Sequence, residues 1–200
     1  MKKLTLIALS LLIALSLLLA LSTLYRLAED ANLETVSFGD FSMTINTATT
    51  AGSIDEKQNN AVFFLLYPDY DEDAAFHCNY NAVWSSQVMD VTAQDPAQYA
   101  SMVLDATVEQ FESLGLQPQD AVLVAADHDE QDGKPALVFL YQVSLDYTAL
   151  GRAERMMLYA VQAVFSDAAF EGSYIFTATA DSLDALDPLM KILNTITWAK

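Results

Sequence analysis

The sequence predicts an α+β domain, an antiparallel β-sheet carrying two main helices, preceded by an N-terminal transmembrane or signal helix. Three observations predict it. The first is an uncharged apolar run, Leu4 to Tyr25, bracketed by Lys2, Lys3 and Arg26. The second is a helical repeat of apolar residues over 95–115, set between stretches of strand-like composition. The third is a succession of four strand-like runs followed by one more helical stretch. Consecutive long strands favour antiparallel pairing and leave the helices to pack on the sheet.

Residues 1–26 come first. The Leu4–Tyr25 run is longer than the roughly 7–15 apolar residues of a secretory signal and reaches the ~20 needed to cross a bilayer. It reads as an uncleaved anchor. The alternative is a signal cut after Ala20-Leu21-Ser22, which has the small-x-small pattern of a cleavage site. Both readings export the rest of the chain, with Lys2 and Lys3 left in the cytoplasm. The domain would then be periplasmic or extracellular, tethered if the helix is kept and secreted if it is cut. No cysteine stands near residue 20, so lipid attachment there has no acceptor. Residues 27–35 form a polar spacer, and the folded domain occupies 36–200.

Within the domain, "VSFGDFSMTI" (36–45) alternates as a strand, with Phe41, Met43 and Ile45 on one face. A polar loop (46–60) leads to "AVFFLLYP" (61–68), a continuous apolar run that suits a strand buried on both faces. An acidic turn (67–73) precedes a strand over 77–84. The helix over 95–115 has Asp95 as its cap, Pro96 at its first position, Gln98 to complete a capping box and Gly115 to end it. Its inward stripe runs from Ala100 through Leu104 and Phe111 to Leu114. Strands follow at 121–127, 135–147, 155–166 and 173–180, the first two joined by an Asp132-Gly133 hairpin turn. A helix over 182–198 closes the chain, with Leu183, Leu186, Met190, Leu193 and Ile196 inward.

Charge narrows the function. From Leu27 onward the chain keeps six Lys/Arg against all 27 Asp/Glu, a formal balance of −21 (6 − 27). Such a surface repels nucleic acid and anionic lipid headgroups, which are bound by clustered cations. It suits a solvated exterior, a cation or a basic partner. Cys78 is the only cysteine, so no internal disulfide supports the fold.

This order of elements resembles the PsbP-like/DcrB-like group of α/β sandwich domains, to which the Mog-type proteins also belong. The residues that carry the likeness are "FHCNYNAVW", "DGKPALVFLYQ", "MMLYAVQAVF", "GSYIFTATA" and "LMKILNTITW". It implies a sandwich fold and an exported, membrane-attached domain without an invariant catalytic motif. The lipid-attachment cysteine common among bacterial members is missing, which favours the helical anchor.

No constellation for catalysis stands out, and no catalytic, cofactor-binding or metal residue is assigned. The chain has no GxSxG elbow and no phosphate-binding glycine pattern. His77 and His128 are the only histidines, too few with Cys78 for a usual zinc site. On a strand, His77 and Cys78 point to opposite faces, so a thiol dyad lacks its geometry and Cys78 joins Tyr80, Ala82 and Trp84 instead. Arg152 and Arg155 are expected to pair with nearby acids. The aromatic residues from Phe63 to Phe176 read as core and sheet face, or as the lining of a groove between sheet and helix. "DHDEQDGKP" (127–135) has the acids of a calcium loop. Counted from Asp127, however, glycine falls at the seventh place and Val138 at the twelfth, where a calcium loop needs glycine sixth and a glutamate last. The expected function is a non-catalytic exported domain that binds a protein or small ligand. The alternatives are a calcium-binding module using the acidic segments 69–73 and 127–132, and an uncharacterised hydrolase or thiol enzyme.

Overall fold

The computed structural model describes residues 32–47, 61–66, 76, 78–146 and 155–199. The predicted N-terminal helix, the acidic segment 69–73, His77 and Arg152 lie outside the described residues. Among the described residues no helix is long and apolar enough to cross a membrane.

The elements are β1 (Leu33–Ser37), β2 (Phe41–Asn46), β3 (Ala61–Leu66), β4 (Asn79–Ser85), α1 (Pro96–Ser113), β5 (Gln117–Gln131), β6 (Lys134–Asp146), β7 (Arg155–Asp167), β8 (Gly172–Ala180), α2 (Leu183–Leu193) and β9 (Thr197–Trp198). The α+β class and the antiparallel pairing agree with the sequence. The number of sheets does not. A six-stranded sheet, ordered β3-β4-β8-β7-β6-β5, is joined by a second sheet of three strands, β1-β2-β9.

Three local features produce the second sheet. Gly39 takes φ +92° and folds the expected single strand over 36–45 into the β1–β2 hairpin. Strand β1 therefore begins at Leu33, inside the segment read as spacer. At the other end, the helix expected over 182–198 stops at Leu193, and Thr197–Trp198 pair with Phe41–Ser42. Ile196 is still buried, but as part of the connection rather than the helix, and Leu183 is exposed at the helix start. Alternation on β2 holds as expected, with Phe41, Met43 and Ile45 all buried.

Elements pack on both faces of the large sheet. On one side α1 packs over β5 and β6, with Ala100 and Leu104 meeting Leu137, Phe139, Tyr141 and Val143. On the other side lie the small sheet and α2, around Phe41, Phe63, Phe165, Phe176 and Trp198. Phe176 is the hub of that layer, with Phe41 at 5.1 Å and Phe165 at 5.7 Å, both edge-on. Edge-to-face pairs of this kind add ~0.5–1.5 kcal/mol each beyond the area they bury. Strand β3 is an edge strand rather than a doubly buried one: Phe63 and Leu65 face the core, while Phe64 is 44% exposed.

Helix α1 begins and ends as its sequence dictates. The Asp95 carboxylate accepts the Gln98 N–H at 2.9 Å, and Pro96 fills the first position. At the far end Leu116 N–H donates to Phe111 O and Gly115 N–H to Glu112 O, a Schellman closure around Gly115 at φ +79°. Leu114 sits at this cap and is 62% exposed, so the inward stripe ends one turn earlier than expected.

Candidate functional site

The 127–135 stretch is a strand end and a turn. Asp132 at φ +50° and Gly133 at φ +76° form the two-residue connection with both central residues left-handed, and Gln131 pairs with Lys134 across it. Three of its four carboxylates already accept a backbone N–H through one oxygen each. Asp127 accepts the His128 N–H and Asp129 accepts the Glu130 N–H, each at 2.8 Å. Asp132 accepts the Trp198 N–H at 2.9 Å, tying the turn to β9. Gln131 adds bonds to the Asn194 and Ile196 carbonyls. Among the described residues no three His, Cys, Asp or Glu side chains gather as metal ligands.

Cys78 behaves as a packed thiol. It lies half-buried against the core beside Tyr80, Ala82 and Trp84, as the strand alternation predicts. Its sulfur lies 3.7 Å from the Asp181 carboxylate. Burial, joined by the charge of Asp181, pushes the thiol up from its ordinary value, away from the thiolate a nucleophile requires. His128 cannot serve it as a base. Strands β8, β7 and β6 separate β4 from β5, and four inter-strand spacings place the two residues at least roughly 19 Å apart. Arg155 meets Asp146 at 3.7 Å, the pairing expected at the start of β7.

A concave feature of the described surface lies beside α2. This helix packs mainly on β8 and β7. Next to it β6 and β5 contribute to a cleft of about 490 Å³. Val138, Leu140 and Val161 form the floor, Met190 of α2 one wall, and Ala125 to Asp129 of β5 the opposite lip. Register explains the lining. Asp127 is paired with Val138, Asp129 with Ala136 and Ala125 with Leu140, so these side chains share the face turned toward α2. The result is an apolar trough edged by two exposed carboxylates. Its size falls within the roughly 300–1,000 Å³ of small-ligand sites. Its described lining contains no Ser, Thr, Cys or Lys side chain. Of the two readings open for the aromatic residues, the second is a groove between sheet and helix; the cleft is such a groove, but aliphatic side chains floor it. The aromatic residues named from the sequence, such as Phe139 and Phe176, lie mainly in the two packed layers.

A two-sheet α+β sandwich with a helix on each face of the larger sheet defines the class of this protein: it has the PsbP/Mog-like fold. The solution structure of cyanobacterial PsbP (CyanoP) from Synechocystis sp. PCC 6803 matches with a TM-score of 0.59 at 14% identity, covering 84% of this chain and 94% of that one. A mutant form of Mog1 matches with a TM-score of 0.50 at 9% identity, covering 84% of this chain and 96% of that one. The Ran-binding protein Mog1p of Saccharomyces cerevisiae matches at 0.49 and 9% identity, covering 84% and 95%. No family model matches the chain, and no curated protein does.

Proposed function

We propose that this chain is a non-catalytic binding domain, exported and held at the membrane by its N-terminal segment, that takes up a protein or small ligand in the cleft between the β5–β6 hairpin and α2. The observation that carries the reading is the cleft itself: an apolar floor beside α2, edged by two carboxylates. The Leu4–Tyr25 run supports export, and the acidic exterior suits a domain facing solvent outside the cytoplasm.

Two measurements test it. A photo-crosslinking side chain placed at Met190 in the producing cell should capture a partner or ligand. The same group at Met102, which is 61% exposed on α1 at the other face of the sheet, should not. Equal capture at both positions, or none at Met190, removes the cleft as the binding site. Protease added to cells whose outer layers have been opened and whose cytoplasmic membrane is intact should digest the acidic domain, and full protection would place it in the cytoplasm and sink the export reading.

A further inference from the structure

We infer that the occupant of the cleft is a cationic, apolar segment of a partner protein: an extended stretch in which Lys or Arg side chains alternate with aliphatic ones. This rests on the cleft being the binding site. Three features of the molecule point to that chemistry. The floor and wall, Val138, Leu140, Val161 and Met190, present only carbon and a thioether to the ligand. Methionine adjusts its rotamers to varied shapes, which suits an aliphatic guest of no fixed outline. The lip presents Asp127 and Asp129, two residues apart on one strand. Their Cα atoms are about 6.6 Å apart along β5, the same step that separates side chains i and i+2 of an extended peptide.

Among the described residues no Lys or Arg forms an ion pair with this lip. Among the described residues the three Lys and Arg are each engaged with another carboxylate: Lys134 with Asp167, Arg155 with Asp146 at 3.7 Å, and Lys191 with Asp187 at 2.9 Å. A partner cation at the lip therefore meets carboxylates with no competing side-chain cation in these pairs. The chain's formal charge of −18 steers such a segment inward and disfavours a second copy of the chain as the occupant.

Fluorescence anisotropy on the full chain tests the inference with two labelled synthetic peptides of equal composition. One alternates lysine and leucine, and the other carries the same residues in separate blocks. The alternating peptide should bind at least about tenfold more tightly. The protein variants are Asp127→Asn with Asp129→Asn, and, as a control of equal charge change, Asp105→Asn with Glu109→Gln on the exposed side of α1. Asparagine keeps an oxygen for the neighbouring backbone N–H, so the cleft pair of changes removes charge without removing that bond. The cleft pair should weaken the alternating peptide about tenfold and the helix pair less than about twofold. Equal weakening by both pairs would show diffuse attraction to an acidic surface and overturn the inference, as would equal affinity for the two peptides. If Met190 captures a partner in cells while either of these results is found, the cleft remains the binding site and only its cationic occupant falls. Dimerisation lost on Met190→Asp would seat a second copy there and also overturn it.

Discussion

Single residues in this molecule show which polar groups are satisfied and which are not. Tyr80 is buried in the aromatic layer, 5.3 Å from Phe63, and its hydroxyl has no hydrogen-bond partner among the described residues. Burial alone pushes its phenol well above the ordinary value. An orphaned buried hydroxyl costs stability that a ring of the same shape does not. Tyr80→Phe should therefore raise stability by about 1 kcal/mol, read as a higher urea midpoint at unchanged slope. Asp167 is the opposite case. Its carboxylate accepts the Ala169 N–H at 2.9 Å and pairs with Lys134, and together these hold it below its ordinary 3.8. A depressed carboxylate adds stability above its unfolded value and loses it as pH falls through the folded one. Asp167→Asn should thus lower Tm at pH 7 by a small amount. The difference from the parent should close once the pH is well below 3.8. A gap that stays constant across that range would mean the charge contributes nothing.

At the scale of elements, two glycines separate conformational strain from steric strain. Gly133 needs its left-handed φ of +76°, but a Cβ there would meet nothing within 4 Å. Gly133→Ala should cost about 1–2 kcal/mol, from backbone conformation alone. Gly172 has the reverse problem: a Cβ would fall on the carbonyl oxygen of Ser85 and against the Trp84 indole, where β8 passes β4. Because the obstacle is backbone, Gly172→Ala should cost more, about 3 kcal/mol, with chemical denaturation giving the order of the two. The elements best read from sequence are those whose signals are local. Helix α1 carries its cap, its proline and its closing glycine within its own residues, and the β5–β6 turn is written in Asp132-Gly133. The small sheet escaped because its signals are not local. Gly39 looked like one residue within an alternating run, and Thr197-Trp198 became a strand only because β2 lies beside them. Strand β5 proved longer than the apolar stretch 121–127 because it is an edge strand. Its partner, not its own pattern, carries the pairing out to Gln117 and Gln131.

For the whole molecule, the fold was legible because β6 and β8 each bury one face more deeply than the other, which imposes alternation, while β7 is buried on both faces and reads as a near-continuous apolar run. The cleft was not legible. Val138 and Leu140 have the same spacing as the buried residues of their strand, and they become an open floor only because of where α2 is placed on the sheet. That placement is set by contacts far apart in sequence. The Asp127 and Asp129 carboxylates matter again when molecules meet one another. A two-residue turn makes Gln131 and Lys134 a hydrogen-bonded pair, so by alternation the N–H groups of Glu130 and His128 point away from β6, toward the free edge of the sheet. Those are the two donors that Asp129 and Asp127 occupy. The end of the edge strand is thereby sealed by its own side chains, a safeguard against open-ended stacking of sheet upon sheet. Asp127→Ala with Asp129→Ala should break the seal and produce concentration-dependent oligomers in sedimentation velocity. The asparagine pair, which keeps the acceptor oxygens, should remain monodisperse. If both pairs stay equally monodisperse, the edge is protected by something other than these two bonds.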